Sequence, residues 1–201
     1  DAVGFYMGNI ITKYEGTQLS PTVEVIMSRE PIVVEEYPDM IECLTENENR
    51  NKLITGVMIG EVMQNRKVLV LCKRRKHARK LFEMTGWGSP LAYLIDSDDK
   101  SRNELLGQFK RGEKPFQLII GTTSLLSVGM DIPALDVLVL ACDMKSECLT
   151  VQSCGRILRL FESKKDPKIV DIVDRANPIL WRQARARIGF YRSKKWIVTG
   201  I

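Results

Sequence analysis

The chain has 201 residues, which is enough for one well-packed core and an appendage but too few for two full domains. Hydrophobic residues make up 44% and charged residues 27%, which excludes a disordered chain, and no apolar run approaches the ~20 residues that span a bilayer. The net charge of +5 is modest, but basic residues crowd segments 73–80 and 175–195, which favours a polyanionic partner.

The cysteine and histidine content argues against a metal site or a disulfide framework. The five cysteines are odd in number and widely spaced, without a Cys-x-x-Cys pair, and the only histidine is His77. We therefore expect reduced thiols, no bound metal and an intracellular, reducing compartment. A Ser-His-Asp centre would have to be built around His77, inside a basic run, and is excluded on that ground.

Residues 1–44 differ in pattern from the rest of the chain. Segments 23–26 and 32–34 are strand-like, and the prolines between and after them are interpreted as breaks, at Pro21, Pro31 and Pro38. We expect a β-rich linker or edge addition here rather than an independent domain. Because the chain begins at Asp1 rather than at a methionine, we also expect it to be a piece of a longer protein.

From about residue 45, apolar strands alternate with amphipathic helices. Helical spacing of apolar residues predicts helices over 51–64, after Cys72, from about Ser101, over 148–160 and from Pro178. Short apolar runs predict strands at 67–72, 91–95, 116–120, 137–141, 168–174 and 196–199. Apolar strands separated by helices are typical of an α/β fold, so we predict a doubly wound, mainly parallel sheet with helices on both faces.

Two phosphate-binding signatures are absent from the sequence. There is no Gly-x-x-x-x-Gly-Lys-[Ser/Thr] loop, and no Asp-Glu dipeptide follows an apolar strand to hold magnesium. A dinucleotide-binding enzyme is also disfavoured because no Gly-x-Gly-x-x-Gly occurs.

An arginine-rich stripe is predicted on the helix over 148–160. Gln152, Arg156 and Arg159 stand at i, i+4 and i+7, so they share one helix face, and Gly155 permits close approach of a partner. Two planar, permanently charged guanidinium groups suit a phosphate delivered from outside the domain. The alternative is an ordinary solvated helix face.

A second constellation follows the strand 116–120. Gly121, Thr122, Thr123 and Ser124 stand at its carboxyl end, where open parallel sheets bind ligands, and 129–131 brings the chain back to that edge. Hydroxyls and helix N-terminal amides there could hold a phosphate. The alternative is a helix N-cap followed by a turn.

Taken in order, the two constellations resemble motifs V and VI of the superfamily 2 helicases. Thr123, Gly129 and Asp131 match Thr-x-x-x-x-x-Gly-x-Asp, and the segment 152–159 matches Gln-x-x-Gly-Arg-x-x-Arg without exception. Upstream, 68–72 resembles motif IV and 102–110 the segment called IVa. The resemblance covers residues 45–201 well and 1–44 loosely. The run Asn49-Arg50-Asn51 and the segment 14–21 are similar to the UvsW-like and XPB-like branch, and we expect the chain to come from a phage or a large DNA virus. Val128 stands where DEAD-box proteins usually carry arginine, which argues against that branch.

The resemblance implies a C-terminal RecA-like domain over 45–201, with 1–44 as an extension from a preceding lobe. It implies that Arg159 is the arginine finger on the γ-phosphate, assisted by Arg156 and positioned by Gln152. The nucleotide would lie beside Gly129, Asp131 and Gly155. ATP and Mg²⁺ would be held mainly by the first RecA-like lobe of the same polypeptide, so this chain alone should be inactive.

The resemblance also implies contacts to a nucleic-acid backbone, with DNA favoured over RNA. The residues concerned are Thr122, Thr123, Ser124, Lys73, Arg74, Arg75 and Arg102. For the basic residues after Cys72, the alternative is a merely solvated cationic face. The C-terminal aromatic residues alternate with arginines and predict either a base-stacking platform or core packing: Trp181, Phe190, Tyr191 and Trp196. A different class of function, a non-catalytic nucleic-acid-binding or annealing module, remains the alternative for the whole chain.

Overall fold

The protein is described from a computed structural model, which covers residues 20–34, 36–87, 90–96, 98–99, 101–126, 132–143 and 166–201. These residues form a seven-stranded sheet in the order β3-β4-β2-β5-β6-β1-β7, and every pair of neighbouring strands is parallel. The prediction of a doubly wound, parallel α/β fold is therefore confirmed.

The strands are β1 (Thr22–Ser28), β2 (Val68–Cys72), β3 (Ala92–Ile95), β4 (Leu118–Thr122), β5 (Val137–Leu140), β6 (Lys168–Asp174) and β7 (Ile197–Thr199). The helices are α1 (Tyr37–Glu46), α2 (Glu48–Met63), α3 (Arg75–Met84), α4 (Arg102–Arg111) and α5 (Pro178–Ser193), and a 3₁₀ turn follows β4 at Thr123–Leu126. The predicted elements agree with these bounds to within a few residues, and the helix predicted over 148–160 lies outside the described residues.

Helices cover both faces of the sheet because the central strands are apolar on both sides. In β2, Leu69 and Leu71 pack in one core cluster with α4 and α5, while Val68 and Val70 pack in another with α2 and α3. All five residues of β2 are buried. This two-sided burial explains why the strand sequences are continuous apolar runs rather than alternating ones.

The structure corrects the interpretation of the segment 20–44 in two respects. First, β1 is not an edge addition: it pairs with β6 on one side and β7 on the other. Second, residues 32–34 form no strand, and Pro38 does not break structure but occupies the first turn of α1. Proline is tolerated there because the first helical N–H groups need no partner within the helix. That residues 1–44 extend from a preceding lobe stays a prediction.

The C-terminal aromatic residues belong to the core rather than to a stacking platform. Phe190 and Tyr191 are buried, and Trp181 and Trp196 pack against the same cluster. The basic residues of this segment also need one correction. Arg187 is only 4% exposed and pairs internally with a carboxylate, so it offers no charge to a polyanion. Among the described residues, no helix is both long and apolar enough to cross a membrane.

Candidate nucleic-acid interface

The carboxyl ends of β2 and β4 meet at one edge of the sheet. The two strands are parallel neighbours, with Cys72 opposite Thr122, so the residues that follow each strand emerge side by side. They line one groove of about 960 Å³ together with α3. Lys73, Arg74, Arg75, Thr122, Thr123 and Ser124, predicted from the sequence as backbone contacts, all line it.

Thr122, Thr123 and Ser124 form the hydroxyl wall of the groove. Their position depends on Gly121, which Leu125 and the backbone of Ile95 approach closely. A Cβ on this glycine would lie 2.4 Å from Leu125 Cδ1 and 3.1 Å from the carbonyl oxygen of Ile95. The absence of a side chain therefore lets the 3₁₀ turn fold back directly over the end of β4. Within the turn, Thr122 Oγ1 and Ser124 Oγ are 2.6 Å apart and share a hydrogen bond.

The groove is also lined by a cation row, six basic residues of which two precede α3 and four belong to it: Lys73, Arg74, Arg75, Lys76, Arg79 and Lys80. Five of them form ion pairs with carboxylates. Arg74, Lys76 and Lys80 pair with glutamates on α1. Arg75 and Arg79 pair with an aspartate that follows β3. Lys73 is exposed and forms no ion pair with any residue that the structure describes. The cation row therefore carries less free charge than its sequence suggests.

Not every predicted site residue is brought to this groove. Arg102 begins α4 and is not part of the groove lining. The remaining predicted residues lie outside the described part of the chain, so their contacts and roles stay predictions: Gly129, Asp131, Gln152, Gly155, Arg156 and Arg159.

A buried polar network lies behind the groove, and sequence reasoning missed it. Arg50 is 1% exposed, and its Nη2 donates to the carbonyl oxygen of Ala141, beyond the end of β5. Its guanidinium group also forms a two-point ion pair with Asp174 at the end of β6. These contacts tie α2 to the same edge of the sheet that carries the groove. The local sequence of α2 contains no signal for a partner so distant in the chain.

His77 of α3 belongs to this buried layer rather than to the cation row. Its Nε2 lies 2.9 Å from Asn51 Oδ1, and the amide nitrogen of Asn51 donates to the carbonyl oxygen of Thr45. Because the amide is oriented by that bond, its oxygen accepts and the imidazole Nε2 donates. Burial, with the positive charge of Arg50 as a second cause, lowers the pKa of His77 to about 3. The imidazole is therefore neutral at physiological pH.

A second connection joins α1 to the carboxyl end of β5. The Tyr37 hydroxyl donates to Asp143 Oδ2 at 2.5 Å, and burial together with this carboxylate raises the pKa of the phenol well above its usual value. Nearby, the buried Cys142 thiol has a pKa raised to about 12, first by burial and then by Asp143. The described cysteines are free thiols, and Cys142 is protonated at neutral pH and so is a poor nucleophile.

Comparison with known proteins identifies the family. The profile of the helicase conserved C-terminal domain matches residues 48–161, more than half of the chain. Putative helicase 161L of Invertebrate iridescent virus 6 is 30% identical over 173 residues, which is 81% of this chain and 38% of that protein. The putative ATP-dependent RNA helicase L396 of Acanthamoeba polyphaga mimivirus is 27% identical, over 76% of this chain and 31% of its own length.

The ATP-dependent DNA helicase uvsW of Enterobacteria phage T4 is similar in both sequence and fold. Its sequence is 25% identical over 70% of this chain and 28% of that protein. The crystal structure of T4 UvsW superposes with a TM-score of 0.72, at 21% identity, and the match covers 89% of this chain and 40% of that one. The chain thus spans less than half the length of these relatives, which come from phages and large DNA viruses as the motif resemblance indicates.

Proposed function

Because the chain belongs to the helicase conserved C-terminal domain family, we propose that it is the second motor lobe of an ATP-dependent superfamily 2 DNA helicase or translocase. The observation that carries this proposal is the convergence of Lys73 with Thr122, Thr123 and Ser124 in one groove at the carboxyl edge of a parallel sheet. That edge is where open α/β sheets bind their ligands.

The groove suits a sugar-phosphate backbone rather than base edges. Lysine supplies a compact positive charge, and hydroxyl groups donate hydrogen bonds to phosphate oxygens. Neither kind of contact distinguishes one base from another. Such contacts let a lobe bind any sequence and move along it. Arg74 and Arg75 contribute to the same backbone contact when a phosphate replaces their carboxylate partners.

The ATP-directed part of the proposal concerns residues outside the described ones. Arg159 acts as the arginine finger, Arg156 assists it, Gln152 positions the pair, and Gly129, Asp131 and Gly155 border the nucleotide. The sequence contains no Gly-Lys pair, so a first lobe holds the phosphates and Mg²⁺. ATP bound there would supply the γ-phosphoryl group. An arginine that stabilises the negative charge of the transition state typically raises the rate of its transfer by ~10³–10⁵-fold.

Movement follows from alternating closure of the two lobes. When the lobes close, the finger arginines reach the nucleotide, and when they open, those contacts are released. Because both lobes bind the nucleic-acid backbone, each cycle of closing and opening moves one lobe's binding position along the strand relative to that of the other lobe. We favour DNA as the substrate because uvsW is named a DNA helicase, although the mimivirus relative is named an RNA helicase.

The motor assignment is tested in the full-length protein with Arg159→Ala, and with the exposed Arg182→Ala as the control for loss of one positive charge. We expect Arg159→Ala to lower DNA-stimulated ATPase activity by ~10³-fold or more while single-strand affinity changes less than about twofold. ATPase activity within a few-fold of wild type would refute the finger assignment. A different result decides for the alternative. If the wild-type full-length protein binds DNA but has no ATPase activity, the chain is a non-catalytic binding or annealing module.

The groove is tested separately, in the 201-residue chain, with Lys73→Ala. Lys52 is a matched control because it is an exposed lysine on α2 that does not line the groove. We expect Lys73→Ala to weaken binding of a fluorescent 20-nucleotide DNA and to reduce the slope of log K against log[NaCl] by ~0.7, the value for one lost single-strand phosphate contact. Equal behaviour of the two variants would contradict this use of the groove. The same titration with RNA tests the DNA preference.

A further inference from the structure

Helix α1 presents two carboxylates to the cation row. Lys76 Nζ lies 2.7 Å from Glu42 Oε1 and 2.8 Å from Glu46 Oε1, and Lys80 Nζ lies 2.7 Å from Glu46 Oε2. Arg74 forms a further ion pair with Glu42. Two glutamates thus engage three of the six cations that border the groove.

The backbone of α1 strengthens this engagement. Arg74 Nη2 donates to the carbonyl oxygen of Pro38 at 3.0 Å, and Lys80 Nζ donates to that of Glu46 at 3.3 Å. The latter carbonyl belongs to the last residue of α1, where the helix dipole favours a cation. Hydrogen bonds from Lys76 and Lys80 lower the pKa of Glu46 to about 2, and that of Glu42 is lowered first by its bond from Lys76. Both carboxylates are therefore charged at neutral pH.

Helix α1 is held in this position by apolar packing and not only by the ion pairs. Met40, Ile41 and Leu44 are buried in a cluster with Ile32 and Leu180 of α5. The glutamates lie on the remaining surface of the helix and are 40% and 44% exposed. Removing their charge should therefore leave the helix docked.

Lys73 differs from these paired cations. It is exposed in the groove beside Thr123 and Ser124, and among the described residues no carboxylate pairs with it. As far as the described residues show, Lys73 is an unpaired cation beside the hydroxyl wall, whereas the cations further along α3 are already engaged in ion pairs.

We propose that Glu42 and Glu46 form an acidic screen that competes with nucleic-acid phosphates for Arg74, Lys76 and Lys80. This inference rests on the proposed nucleic-acid groove. A carboxylate offers the same donors an oxygen pair similar to that of a phosphate, so a strand must displace the screen to use these cations. Because half-exposed ion pairs are individually weak, the exchange is reversible. The screen therefore lowers the affinity for nucleic acid. It also makes binding less dependent on salt concentration than it would be if all six cations of the row were unpaired.

The test compares two double variants of the 201-residue chain with the wild-type chain. Glu42→Gln with Glu46→Gln removes the screen, and Glu36→Gln with Glu48→Gln removes two exposed carboxylates outside the groove lining, for the same change in net charge. Binding of a fluorescent 20-nucleotide single-stranded DNA is followed by anisotropy from 50 to 300 mM NaCl, and folding is checked by thermal unfolding.

Removing the screen should tighten binding about tenfold at 50 mM NaCl and make the slope of log K against log[NaCl] steeper by ~1.4, as expected for two more single-strand phosphate contacts. The control double should change affinity less than about threefold, since its carboxylates do not line the groove and form no ion pair with the cation row among the described residues. Detectable binding only after removal of the screen also supports the proposal.

Three results would overturn the acidic screen. If wild type binds and removal of the screen changes neither affinity nor slope, the screen is wrong while the groove stands. If both doubles tighten binding equally, the effect is one of net charge alone. If none of the three proteins binds, the groove assignment fails and the screen fails with it, whereas the arginine-finger proposal is still decided by the ATPase measurement.

Discussion

Arg50 of α2 and Asp174 at the end of β6 form a two-point ion pair in the interior, with Nε 2.8 Å from Oδ1 and Nη2 3.0 Å from Oδ2. Both side chains are at most 3% exposed. The pair connects a helix on one face of the sheet to the sheet edge that carries the groove. Removing one partner leaves the other charge buried without compensation, which is far more costly than the loss of a surface ion pair.

We therefore expect Arg50→Met or Asp174→Asn to lower the free energy of unfolding by ~3–5 kcal/mol, measured by urea denaturation. The double variant should cost less than the sum of the two single variants, because neither charge is then stranded. Arg111→Ala is the control, since the Arg111–Glu113 pair is more than half exposed and should contribute ~1 kcal/mol or less. Single variants that cost no more than this control would contradict the assignment.

Gly121 permits the tight turn that presents the hydroxyl wall. We expect Gly121→Ala to destabilise the chain by ~1–3 kcal/mol, because its Cβ would overlap Leu125 Cδ1 and crowd the carbonyl oxygen of Ile95. Gly60→Ala is the matched control, because a Cβ there meets nothing within 4 Å and alanine favours the helix. Gly121→Ala should also weaken DNA binding, by displacing Thr123 and Ser124. A stable Gly121→Ala protein with unchanged affinity would show that the turn does not depend on this glycine.

Much of the fold could be predicted because its signals are local. The run Val68–Cys72 is apolar throughout, as a strand buried on both faces requires, and such strands separated by helices specify a parallel sheet. The family resemblance implied that Lys73 and Thr123 both contact a nucleic-acid backbone, but no strand order was predicted. The structure brings them to one edge because β2 and β4 are parallel neighbours.

The features that could not be predicted depend on partners distant in the chain. Arg50 and Asp174 are 124 positions apart, and nothing near Arg50 marks it as buried. The pairing of Glu42 with Lys76 spans 34 positions in the chain. Glu42 lies on α1, and this helix was not predicted because Pro38 was interpreted as a break. The cation row was consequently predicted as free charge, whereas most of it is paired.

Tyr191 adds a hydrogen bond to a second buried ion pair, between Arg187 and Asp171. Its hydroxyl donates to Asp171 Oδ2 at 3.0 Å, beside the Arg187 Nε bond of 2.9 Å to the same oxygen. We expect Tyr191→Phe to cost ~1.5–3 kcal/mol in urea denaturation, because a bond to a charged acceptor is lost in the interior. Tyr93→Phe, which removes an exposed bond to the carbonyl oxygen of Pro90, should cost under ~1 kcal/mol. Equal costs for the two variants would contradict a special role for the buried hydroxyl.

His77 is the only histidine of the chain, and its protonation makes stability depend on pH. The pKa of His77 is lowered from 6.5 to about 3 in the folded protein, by burial and then by Arg50. Above pH 6.5 the imidazole is neutral in both the folded and unfolded states, so its contribution to stability is fully present. As pH falls below 6.5 the unfolded chain takes up a proton that the folded chain does not, and stability drops by ~1.4 kcal/mol per pH unit until the folded pKa is reached.

Because His77 is the only histidine, its imidazole Cε1–H signal in a ¹H–¹³C NMR spectrum is assigned without ambiguity. We expect this signal to stay unchanged from pH 8 to pH 5 in the folded protein. A His77→Gln variant should lose less stability than wild type between pH 6.5 and pH 4.5, since the carboxylates that titrate in this range are common to both proteins. A signal that titrates with a midpoint near 6.5 in the folded protein would mean that the imidazole is open to solvent and that the bond to Asn51 does not hold it.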